Sequence, residues 1–373
     1  MFRDSHNLIS VRALLAGHAL DLAAIRLRLL LRKTGFNPDQ PRLPAGQPGG
    51  GRWTDGGGDG PAPSADALPP QVVHDTSGQE LWDHFVNVYA LDGALAAQTV
   101  FNRDGSTIES LFNIDGAPVA WDERHTIVTT DGDRITFENA GPVQSIFTGD
   151  GSDGAGHLVG TAVWTDDGPQ PLLHPAYVGP TAPIVEAALA LFTFMSSQND
   201  STGAAVFAFR ANEFRPDDVD TFSAVWVGRL TRDEVNNACP RHEEVQGLTN
   251  EAADTARRER NYWTASGFGT AVHRYIEQRI RALLDPNFRS EISLIKIEEE
   301  TGVALPTREG RYGEKDTIRI DVLENPGSGT VCVYDIKTGR RGLGLARSAE
   351  IAGTVYTRYP TTQRIIVIET RPR

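Results

Sequence analysis

The periodicity of the C-terminal third is what most restricts the folds open to this chain. From Gly269 a segment with helical spacing of apolar residues, GTAVHRYIEQRIRALL, is followed by three alternating segments, SEISLIKIEE, DTIRIDVLE and TVCVYDIKTG. A second helical run, LARSAEIAGTVYTRY, and a last strand, QRIIVIET, complete the region. The spacing predicts the order αβββαβ. In the first helix Val272, Ile276, Ile280 and Leu283 form a core stripe, which leaves His273 and Glu277, four residues apart, together on a neighbouring face.

Strand alternation sorts the acidic residues. In TIRIDVL, Ile318, Ile320 and Val322 are expected on one face and Asp321 on the other. In VCVYDIK, Asp335 and Lys337 share a face, with Cys332, Tyr334 and Ile336 opposite. If these strands are neighbours, two carboxylates and an ammonium converge on one patch. Phosphodiester hydrolysis needs such a grouping, because the negative substrate repels hydroxide. Paired carboxylates hold Mg²⁺ or a similar hard cation through oxygen, and the cation acidifies water and stabilises the leaving oxygen. A lysine beside it orients the nucleophile or offsets developing charge. The third ligand stays open between Glu291, Glu277 and His273. Arg340 and Arg341, just after the third strand, are candidate phosphate contacts, although exposed loop arginines are as often only solvated.

These residues resemble the PD-(D/E)XK nuclease superfamily, which has an αβββαβ core, an acid on the second strand and an acid-x-Lys motif on the third. Asp321 and Asp335-Ile336-Lys337 match that pattern. Gly269-Thr270-Ala271-Val272-His273-Arg274-Tyr275-Ile276-Glu277 is similar to the GT-x-x-H-x-x-x-E helix of the recombination-nuclease branch. The resemblance implies a restriction-endonuclease-like fold and a Mg²⁺- or Mn²⁺-dependent nuclease acting on nucleic acid, DNA above RNA. It implies a catalytic set of Asp321, Asp335, Lys337, Glu277 and His273. The metal shell would draw on Asp321, Asp335, Ile336, Glu277 and Glu291. Leu345 to Tyr359 lacks the Gln of that branch's Gln-x-x-x-Tyr pattern, and the branch's iron–sulfur cysteines are absent, so the superfamily is kept and the branch is not.

The other two thirds read differently. The net charge is −13, but Thr255 to Arg373 carries +5 against −18 for the remainder, so only the C-terminal part suits a polyanion. Residues 1–36 suit a basic amphipathic helix, and 37–74, dominated by Gly and Pro, a disordered linker. Residues 75–180 form a β-hairpin-rich domain punctuated by Asp104-Gly105, Asp115-Gly116 and Asp131-Gly132. His125 is expected to be structural, and His242, Glu243 and Glu244 to lie on the surface. Residues 181–249 read as a mixed connecting region, with a buried helix over Ile184 to Met195 too short to cross a bilayer. Residues 250–373 are expected to be a nuclease module that folds alone, giving an α+β multidomain protein. Cys239 and Cys332 cannot build a disulfide framework, so the fold is expected not to rely on oxidation.

A variable leading region before a C-terminal enzyme resembles bacterial polymorphic toxins and secretion-system effectors. That resemblance implies a DNase toxin, cytoplasmic in its producer and exported by a non-classical route. An immunity protein and delivery machinery would be its partners. The alternatives are a phage or mobile-element DNA-processing nuclease, and a non-catalytic nucleic-acid-binding module on the same scaffold.

Overall fold

The computed structural model describes residues 68–78, 80–114, 119–149, 156–173, 182–198, 203–210, 224–259, 262, 264–295, 317–339, 343 and 345–373. The segments expected to form the N-terminal helix and most of the linker lie outside them, as do Asp115-Gly116, Arg340 and Arg341. The fold is mixed α+β, built on two large sheets.

The first sheet is a nine-stranded antiparallel meander in chain order: β1 (Gln71–His74), β2 (Trp82–Tyr89), β3 (Leu95–Asn102), β4 (Thr107–Phe112), β5 (Glu123–Val128), β6 (Arg134–Ala140), β7 (Val143–Gly149), β8 (His157–Thr165) and β9 (Gly168–Leu173). Gly105 and Gly132 take positive φ (94° and 90°) in the β3–β4 and β5–β6 turns, the backbone state that these Asp-Gly pairs supply. The linker ends earlier than the sequence implies, since Gln71 to His74 already pair with β2. His125 is buried and meets Ser110 Oγ at 2.8 Å, a structural role.

Helix α1 (Ala182–Ser197) fills the space between the two sheets. Its Phe194 packs edge-on against Phe85 of the meander at 5.5 Å, while Phe192 lies 6.1 Å from Phe207 of the second sheet. A helix apolar on nearly every side requires cover all round, and here it has it. Among the described residues no helix is long and apolar enough to cross a membrane. The Gln144 side chain accepts from Val227 N–H (2.9 Å) and donates to Val227 O (2.7 Å), joining the meander to the second sheet.

The second sheet has the strand order β11-β10-β15-β14-β13-β12, from β10 (Gly203–Arg210), β11 (Ala224–Thr231), β12 (Phe288–Ile295), β13 (Thr317–Glu324), β14 (Thr330–Ile336) and β15 (Arg364–Thr370). Only β14 and β15 run parallel, with α5 (Leu345–Arg358) between them in sequence. Helices α2 (Arg232–Ala238), α3 (His242–Glu259) and α4 (Ala265–Ala282) belong to the core on one face, and α1 and α5 to the core on the other.

This sheet corrects the division at residue 250. The segment read as a connecting region supplies β10, which pairs with β15, and β11 beyond it, and the proposed boundary falls inside α3. The apolar alternation of β10 and β11 is satisfied only by joining the sheet that the C-terminal strands form.

Two further expectations change. Cys239 and Cys332 form a disulfide with Cα atoms 5.9 Å apart, tying the end of α2 to β14 across 93 residues of sequence. Too few for a framework, they still suffice for one bridge. His242 is buried, stacked on Tyr334 at 6.3 Å, because the start of α3 meets that residue of β14.

Candidate metal centre

Thr264 caps α4 by accepting from Gly267 N–H at 3.0 Å. Gly269, His273 and Glu277 then follow at intervals of one turn on one flank of the helix. A Cβ on Gly269 would sit 2.8 Å from Thr338 Oγ1, so glycine is what allows the helix to approach the segment after Lys337. His273, one turn on, reaches β12 and β13.

Those two strands turn over at the same level. Ser290 pairs with Val322 and Ile292 with Ile320, yet Phe288 and Val322 face α4 whereas Ile292, Ile318 and Ile320 face the α1 and α5 side. Val322 is therefore opposite to Ile318 and Ile320, against simple alternation. Glu291 takes a left-handed conformation (φ 51°) at the crossover, which costs a non-glycine residue about 1–3 kcal/mol. The result is that Glu291 and Asp321 turn towards His273.

His273 Nδ1 lies 2.8 Å from Glu291 Oε1 and 3.7 Å from Asp321 Oδ1. The ligating atoms of these three residues all fall within 4.8 Å of one another. Glu291 Oε2 pairs with Arg319 Nε at 2.8 Å, and Asp321 Oδ2 accepts from Ile336 N–H at 2.9 Å, which joins β13 to the end of β14. Burial pulls His273 down, but the hydrogen bond it donates to Glu291 and the charges of Asp321 and Glu291 outweigh it and raise its pKa. Asp321 is pushed up to about 6 by burial and by the neighbouring Asp335.

Asp335 follows Val331 and Val333 on the face opposite Tyr334 and Ile336, as the alternation requires. Its Oδ2 is 2.7 Å from Lys337 Nζ, a contact that is ionic and not a directed hydrogen bond. Beside it on β15 is Glu369, its partner in the parallel register. Burial and then Asp335 push Glu369 up to about 7, against the pull of Arg371, whose Nε lies 2.6 Å from Oε1, and of Lys337.

Glu277 does not join this group. It pairs with Arg281 at 2.8 Å and lines a cleft of about 640 Å³ that reaches His273 and Glu291 and is edged by Arg274, Arg281, Arg289 and Arg319. Sequence reasoning missed Arg319, two residues before Asp321, and Glu369, an acid ending the otherwise apolar run Ile365–Ile368. It also missed the buried anchor beneath the site. There Tyr334 OH donates to Glu324 Oε2 at 2.6 Å, and Arg241 N–H donates to both Glu324 oxygens at 3.1 and 3.2 Å.

The chain matches no family model, no curated protein and no solved structure.

Proposed function

We propose that this protein is a metal-dependent nuclease whose centre is formed by Asp321, Asp335 and Lys337 with Glu291 and His273. The observation that carries the reading is the meeting of Asp321 with His273 and Glu291, next to the Asp335–Lys337 pair, at the edge of an arginine-lined cleft. The order α4-β12-β13-β14-α5-β15, with β14 and β15 parallel, is what a restriction-endonuclease-like core would need.

Buried carboxylates crowded together, two of them with raised pKa, fit a divalent cation, because isolated anions in such a place are costly. Asp321, Asp335 and Glu291 would hold Mg²⁺ or Mn²⁺, and the imidazole, if it ligates, favours Mn²⁺. The cation would neutralise phosphate charge and activate water. Lys337, held by Asp335, offers its ammonium to the phosphate oxygens, and His273 orients Glu291 through Nδ1. The cleft arginines fit a phosphodiester backbone of DNA or RNA. Delivery as a toxin is supported by the order of segments in the sequence.

Cleavage of plasmid DNA and of RNA by the full chain, with and without chelator, tests the activity. Binding of nucleic acid without cleavage would favour the non-catalytic module.

A further inference from the structure

We propose that the cleft takes nucleic acid with unpaired bases in preference to continuous duplex, and that Leu284, on its rim, sets this preference by an apolar contact to a base. The proposal rests on reading the cleft as the substrate groove of a nuclease, and names the form of substrate that it fits.

Leu284 ends α4 at a cost to the fold. Its N–H donates to Arg281 O at 3.2 Å and its backbone is left-handed (φ 54°), the position that helices usually give to glycine. A leucine there crowds its own Cβ against the following carbonyl. A large apolar side chain offsets such a cost by leaving water, yet Leu284 is 88% exposed, and Leu283, expected in the core stripe, is exposed as well. Two unfavourable choices thus fall on one residue, and that residue lines the cleft.

The surroundings of Leu284 point to what it meets. Arg281 precedes it by one turn and Arg289 follows on β12, both lining the cleft with Arg274 and Arg319. The carboxylates of the same wall, Glu277, Asp285 and Glu291, are paired with Arg281, Arg241 and Arg319 at 2.8, 2.9 and 2.8 Å, so they do not confront a polyanion as bare charges. An apolar tip among guanidinium groups suits a ligand that offers phosphate and an apolar face together. A continuous duplex keeps its base faces stacked inside, whereas an unpaired base presents its face to an apolar side chain. Leu284 lies about 16 Å beyond His273 along α4, at 1.5 Å per residue, and the cleft reaches both. A contact there selects the substrate without touching the reacting phosphate.

The test is binding of the full chain, in chelator, to a single strand and to a hairpin-closed duplex with the same number of phosphates, by fluorescence anisotropy over a salt series. The wild type is expected to bind the single strand more tightly. Leu284→Gly, which suits the left-handed position, should melt no lower than the wild type. It should lose about 10-fold on the single strand, the effect of a leucine left in water, and nothing on the duplex. Its salt dependence should be that of the wild type, because the phosphate contacts remain. Wild-type protein that binds the two ligands alike, a preference that survives in the variant, or a variant that melts lower, overturns the role. Cleavage in Mn²⁺ by a protein without the preference would remove this proposal and keep the nuclease reading. The preference without cleavage would do the reverse.

Discussion

His273 Nδ1 and Glu291 Oε1, from a helix and a strand 18 residues apart in sequence, lie 2.8 Å from each other, with Asp321 next to both. Helix α4 is thereby clamped to the point where β12 and β13 turn over. Glu291→Gln should weaken Mn²⁺ binding by about 10–100-fold, the loss usual when a ligand or its orienting partner is removed. Calorimetry checks this, and unchanged affinity would exclude Glu291 from the centre.

Lys337→Ala is expected to retain Mn²⁺ while losing about 100–1,000-fold in cleavage, since the ammonium acts on phosphate charge and not on the cation. Asp335, freed from its 2.7 Å pair, should bind the ion at least as well as before. Loss of Mn²⁺ binding in this variant would contradict the role.

The cation-free protein should lose stability from about pH 4 to pH 7 through its acids, and further above pH 6.5 through His273. Asp321 and Glu369 are acids whose folded pKa values, about 6 and about 7, exceed the ordinary 3.8 and 4.5. The fold therefore favours their protonated forms, and that advantage disappears as pH rises through the folded values. His273, raised above 6.5, works in the same direction: its charged form is favoured in the fold, and its contribution is lost on deprotonation. Thermal melts in chelator should show Tm falling over this range, less steeply in Asp321→Asn, with Mn²⁺ restoring most at pH 8. A flat profile would count against the buried acidic cluster.

The reach of sequence reasoning follows from what each signal depends on. Local periodicity located the helices and strands of the last third, and alternation placed Asp335 and Lys337 together, because these need only the regular geometry of one element. The turnover at Glu291 and Asp321 breaks that regularity, so the side of Val322 was misjudged. Glu369 escaped because its meeting with Asp335 depends on which strands become parallel neighbours. The partnerships of His242 with Tyr334, and of Cys239 with Cys332, arise from the start of α3 and the end of α2 meeting β14, a tertiary event with no local trace.

A fragment from Asn250 should not fold, contrary to the self-sufficient module that the sequence implies. It would expose the edge of β15 that pairs with β10, cut α3 and remove Cys239. Residues 68–373 keep both sheets and should fold. Circular dichroism of the two fragments decides, and a cooperative melt from the shorter one would contradict this view.

Replacing the Cys239–Cys332 pair by Ser and Ala should lower stability by about 2–4 kcal/mol, because the bridge constrains a long loop in the unfolded chain. Urea unfolding of the double variant, beside the wild type with and without reductant, measures this. Equal midpoints in all three would show that the bridge contributes nothing.

The most direct measurement is cleavage of supercoiled plasmid and of RNA by the full chain in Mg²⁺ or Mn²⁺, beside Asp335→Asn and an excess of chelator. The proposed centre predicts cation-dependent cutting of at least one substrate, abolished by chelator and reduced about 100-fold or more in the variant, since a cation at the phosphate is worth several kcal/mol. Cutting that survives chelation, or an Asp335→Asn protein as active as the wild type, would contradict it.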